Sequence, residues 1–229
     1  MNCYLGGYFL IKLSPLTWSY KSGDAVYTCS GCVNENMIGA WSYSWMNRDE
    51  ELNSIKRTYN IDDDDVKLIR NWVDTNWEKG KIKPDSVFSE IEIAMEYKNA
   101  FFPHLNGINL SGLYFDETET NKILEEFRPT ASMEIGIYPI LSEKILEEDN
   151  GKVLGYDLIS MYELTTQFCS FWCNDVGREL ADRFGLNLNE NGLFDNCLNW
   201  GEVLQLLNDP KFGCESCPWH VTKVKMIEI

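Results

Sequence analysis

The order of elements in the chain predicts an α+β fold, with a mixed or mostly antiparallel sheet and several short helices packed on it. Short strand-like and helical stretches alternate without a βαβ rhythm. Both ends of the sequence are strand-like, and no internal repeat or low-complexity linker interrupts the 229 residues.

Residues 5–13 are an apolar run expected as the first strand, with Gly6-Gly7 bending or bulging it at its start. Residues 14–36, with Pro15, Gly23 and Gly31, are loop-like. Trp41-Ser42-Tyr43-Ser44-Trp45 alternates large and small side chains as a half-buried strand does. Asn47 with Glu50 is expected to open a helix running to about Tyr59. Asp62 is a good N-cap for the stripe Val66, Ile69, Val73 and Trp77; Asp63, Asp64 and Asp65 suit the first turn, and Gly80 ends the helix. Ser89 with Glu92 predicts the next helix, stopped by Pro103.

Residues 108–115 are expected as a strand, followed by a helix capped at Asp116 or Thr118. Residues 135–141 are read as an edge strand because Pro139 interrupts them. Strands are expected at 152–162 and 167–172, a helix from Asn174 to Gly185, another opening at Asn199 and Glu202, and a last strand over 221–229. One unit spanning 1–229 is expected, with any subdomain boundary near 150, after an acidic turn.

Hydrophobic residues at 44% and charged residues at 24% are the proportions of an ordinary folded chain, long enough to fold without metal or disulfide. No apolar stretch approaches a membrane span, and the N-terminus lacks a secretory pattern. The expected location is therefore the cytoplasm, with the eight cysteines as reduced thiols. The net charge is −16, and residues 48–149 hold 23 acids against 12 bases. Such a field opposes binding to nucleic acid or to an anionic membrane, and favours a basic protein partner.

The sharpest local pattern is two Cys-x-x-Cys pairs, Cys29/Cys32 and Cys214/Cys217. Four thiolates can close a tetrahedral zinc site, and His220 could replace one of them. The two pairs could approach if the first and last strands were neighbours. A disulfide-exchange role is disfavoured because neither pair opens a helix. The two histidines, His104 and His220, lie in no nucleophile motif; phosphate-loop, dinucleotide and zinc-protease signatures are absent. Four consecutive acids leading into a helical stripe lack the alternating ligands of a calcium loop.

No catalytic residue is assigned. The expected function is that of a non-enzymatic acidic binding protein, such as an immunity or inhibitor protein neutralising a basic toxin. Asp62, Asp63, Asp64, Asp65, Asp116, Glu117 and Glu119 are the expected partner-binding residues. No cofactor is expected on this reading. The alternative is a zinc protein or metal-dependent enzyme using Cys29, Cys32, Cys214 and Cys217.

Overall fold

In a computed structural model, eight strands occur among the described residues, and every pairing between them is antiparallel. The structure describes residues 2–16, 24–36, 49–83, 87–126, 137–161, 168–195, 199–214 and 218–228. The strands are β1 (Cys3–Lys12), β2 (Glu35–Asn36), β3 (Ile82–Lys83), β4 (Val87–Phe88), β5 (Ile108–Asp116), β6 (Lys152–Met161), β7 (Phe168–Ser170) and β8 (Trp219–Met226). The helices are α1 (Asp49–Tyr59), α2 (Asp63–Glu78), α3 (Ile91–Phe101), α4 (Glu117–Glu126), α5 (Ile137–Ser142), α6 (Gly177–Phe184) and α7 (Trp200–Leu207), with one 3₁₀ turn, Phe171–Asn174. The α+β expectation holds.

Strand order is β3-β4-β1-β5-β8-β6-β7, with β2 pairing β1 as well. The first and last strands are thus not neighbours, because β5 lies between them. Strand β6 begins at the expected subdomain boundary and joins the same sheet through β8. No helix among the described residues is long and apolar enough to cross a membrane.

Local signals explain the elements that matched. Asp62 accepts from the Asp64 and Asp65 amides, and Asp65 accepts in return from the Asp62 amide, closing a capping box at the start of α2. Asp116 receives the Glu119 amide at 2.9 Å, and Asn199 receives the Glu202 amide at 3.4 Å. The strand register slips between Leu5 and Gly7, where the two glycines predicted a bulge.

Gly7 has φ +138°, and a Cβ there would stand 2.0 Å from the Val87 Cγ1. Gly7→Ala therefore combines a strained backbone with an overlap, and is expected to lower the unfolding free energy by about 2 kcal/mol in chemical denaturation. An unchanged midpoint would show that β4 yields freely.

Other expectations are corrected. Residues 137–142 are the helix α5, because Ile137, Ile140 and Leu141 bury one helical face and Pro139 sits in the first turn, where no amide donor is needed. Ser89 is no cap: its hydroxyl donates to the Lys81 carbonyl, and Glu90 occupies the N-cap position without a side-chain bond. Asn174 belongs to the 3₁₀ turn, while Val176 precedes α6. The 41–45 aromatic segment and Asn47 lie outside the described residues.

Successive residues of β6 serve two hydrophobic cores, as the period of a strand requires. Ile159 joins Phe9, Leu113, Phe115, Tyr97 and Val224 in the larger core. Leu158 joins Phe171, Trp172, Phe194 and Trp219 in the smaller one, which α6 and α7 cover through Leu180, Val203 and Leu207.

Candidate functional site

Helix α4 leaves the end of β5 and places Glu119 and Glu126 two turns apart on one face, with the buried Ile123 between them. Strand β8 brings His220 against that face. Its Nδ1 lies 3.1 Å from Glu119 Oε2, and its Nε2 lies 3.4 Å from Glu126 Oε2. The other Glu119 oxygen meets Lys122 Nζ at 2.5 Å. Glu119 and His220 are each only 3% exposed, so this pair is essentially out of water, while Lys122 and Glu126 reach it from the solvent side.

Burial by itself lowers the pKa of His220, but Glu119 and Glu126 outweigh it, and the net shift is upward. Burial likewise raises that of Glu119, but His220 and Lys122 outweigh it, and the net shift is downward. The charged pair is therefore the favoured state. With a carboxylate facing each ring nitrogen, His220 braces β8 against α4, and its surroundings favour the protonated imidazole.

Above this group lies an open cleft of about 700 Å³. Its α4 wall carries Lys122, Glu125 and Glu126; its α7 wall carries Leu204 and Leu207; Asp209 and Pro210 follow α7, and Trp219 and His220 close it. The amide of Trp219 donates to Asn208 Oδ1 at 3.0 Å and ties the end of α7 to β8. Lys122 is engaged by Glu119 and Glu126 by His220, so Glu125 and Asp209, with the exposed side of Glu126, leave the cleft a negative surplus over an apolar wall.

The expected partner-binding residues divide. Asp62, Asp63 and Asp64 are exposed and Asp65 half-buried at the start of α2. Asp62 and Asp65 cap the helix, while Asp63 meets Lys56 at 2.5 Å and Asp64 meets Lys67 at 2.7 Å. Asp116 caps α4 and Glu117 is exposed, whereas Glu119 faces inward and presents no open carboxylate. The sequence gives no warning of this, because His220 lies 101 residues away.

The cysteines assemble differently from the spacing argument. Cys29 is fully buried in the larger core beside Asp157, and Cys214 lies on the cleft wall. Cys217 lies outside the described residues. Cys32 instead meets Cys169, with the sulfurs 3.7 Å apart, and Cys173 completes a group whose Sγ atoms all lie within 4.8 Å. His220 is committed to α4, and His104 is exposed with its Nε2 3.1 Å from the Tyr59 carbonyl.

Hydrogen bonds hold this thiol group in place. Asn34 Nδ2 donates to the Val26 and Thr28 carbonyls, fixing the loop that carries Cys32. Ser30 Oγ donates to the Phe168 carbonyl, receives the Cys32 amide, and stands 3.8 Å from Cys173 Sγ. Cys32 is exposed, Cys169 buried and Cys173 half-buried. Hydrogen bonding to Cys169 and Cys173 pushes the Cys32 thiol well down in pKa, and Cys169 is pushed up in return by Cys173 and Cys32. The three thiols therefore titrate as a coupled group. No protein-family model matches the chain, and no curated protein or solved structure is detectably similar to it.

Proposed function

We propose that the chain is a non-enzymatic acidic binding protein for a basic protein partner, in the manner of an immunity or inhibitor protein, and that the cleft between α4 and α7 receives a lysine or arginine side chain of that partner. The observation that carries this reading is the cleft itself. Its apolar wall of Leu204, Leu207 and Trp219 suits an aliphatic stem, and Glu125, Glu126 and Asp209 suit a cationic head. The exposed carboxylates Asp62 and Glu117 add to a field that steers such a partner in from a distance, Asp63 and Asp64 being offset by Lys56 and Lys67. Leu68 and Trp77, exposed at 59% and 38% on α2, are apolar side chains available for contact.

Capture of the partner from the source cell over a salt series, followed by titration of the purified pair, tests the reading. The expected result is a 1:1 complex with a basic protein that weakens steeply with salt. The triple variant Glu125→Gln, Glu126→Gln, Asp209→Asn is expected to weaken it at least about tenfold. Equal affinity of the triple variant would remove the cleft from the proposal. Failure to recover a basic partner at low salt would remove the function.

A further inference from the structure

We propose that Cys32, Cys169 and Cys173 form a zinc site, these three thiolates being its ligands among the described residues. The site is independent of the acidic cleft and of the binding function proposed for it.

Geometry carries the inference. Zinc–thiolate bonds of about 2.3 Å at a tetrahedral centre place neighbouring sulfurs about 3.8 Å apart. The Cys32 and Cys169 sulfurs are 3.7 Å apart, and all three lie within 4.8 Å of one another, so modest side-chain adjustment brings Cys173 to the same spacing. Ordinary packing does not require three thiols from two remote segments to converge; Cys32 and Cys169 are 137 residues apart.

The surroundings are also those of a ligand set. Cys32 sits in a turn closed by the Val33 and Asn34 amides donating to the Ser30 carbonyl. Cys173 lies in the 3₁₀ turn whose first residue is reached through Ser170, which receives the Trp172 amide. Both arms are braced by Ser30, which bonds to the backbone of β7 and to that of Cys32. Supporting bonds of this kind orient ligands before the ion arrives. Three soft donors select zinc over magnesium or calcium, and the exposed face of Cys32 gives the ion a route in from solvent. Binding releases the protons still held by the thiols, so zinc uptake is expected to weaken as pH falls.

The test uses the full chain purified under reducing conditions without chelator. Zinc content is measured after equilibration with Zn²⁺ and dialysis, and Co²⁺ is substituted to read thiolate-to-cobalt charge transfer in the near ultraviolet. The expected result is about one metal per chain with a thiolate band. Cys32→Ser, at an exposed position, is expected to reduce zinc affinity more than about tenfold while Cys214→Ser leaves it unchanged. Less than about a tenth of an equivalent of zinc in the reduced, folded protein overturns the proposal. So does undiminished binding by Cys32→Ser, or a cobalt spectrum without thiolate character.

Discussion

Glu119→Ala is expected to destabilise the fold by about 3–5 kcal/mol, the range found when one partner of a buried ion pair is removed. Glu119 satisfies two cations at once: His220 through one oxygen and Lys122 through the other. Alanine leaves an imidazole that is 3% exposed with Glu126 as its remaining carboxylate, at 3.4 Å. Glu119→Gln keeps the shape and one acceptor for His220, so its cost is expected to be nearer that of a lost charge-assisted hydrogen bond, about 1.5–3 kcal/mol. A double-mutant cycle with His220→Ala isolates the coupling from the loss of packing.

The pH dependence separates this account from simple cavity formation. The folded pKa of His220 lies above its unfolded value of 6.5. Its stabilising contribution is therefore complete below the unfolded value and is lost as pH rises through the raised folded one. Glu119, shifted downward, contributes above its unfolded pKa of 4.5 and loses that contribution as pH falls through the depressed folded value. Chemical denaturation at several pH values and NMR titration of the imidazole read both. If His220 titrates in Glu119→Ala where it does in the parent chain, the ionic account of this cluster fails.

The difference between what the sequence revealed and what it concealed follows from range. The capping box at Asp62 and Asp65, the cap at Asp116, and the bulge at Gly6-Gly7 are all made by residues a few positions apart, so residue type and spacing determine them. Residues 137–142 misled because a six-residue apolar run fits either a buried strand or one face of a short helix. Both candidate sites are products of topology. Glu119 resembles an outward-facing acid in a first helical turn until β8 delivers His220 to it. Cys169 and Cys173 resemble packing residues until the 28–34 loop is laid against β7 by Ser30 and Asn34. The Cys-x-x-Cys spacing at Cys29 and Cys32 marked one true member of the thiol group, and the chain sends the other into the core.

Asp157 is expected to give the fold an unusual slope with pH. It is fully buried, and that burial raises its pKa from 3.8 to about 6, against the opposing influence of Thr28, Ser170 and the Leu158 amide. Ser170 Oγ donates to its Oδ1 at 2.7 Å, while Oδ2 has no hydrogen-bond partner among the described residues. A carboxyl group that holds its proton more tightly when folded stabilises the folded state fully below 3.8 and loses that contribution as pH rises through about 6. The shift corresponds to about 3 kcal/mol, spread between about pH 3 and pH 7. Asp157→Asn, which never ionises and keeps an acceptor for Ser170, is expected to lose this downward slope. Other carboxylates, Glu119 and Glu147 among them, are shifted the opposite way. The informative quantity is therefore the difference between the two denaturation profiles, in which their contributions cancel. A constant offset between the profiles from about pH 3 to pH 7 would mean that Asp157 is as readily ionised in the fold as in the open chain. The buried Ser170–Asp157 contact would then have to tolerate a full negative charge beside Cys29, whose own thiol burial and Asp157 hold well above its ordinary range.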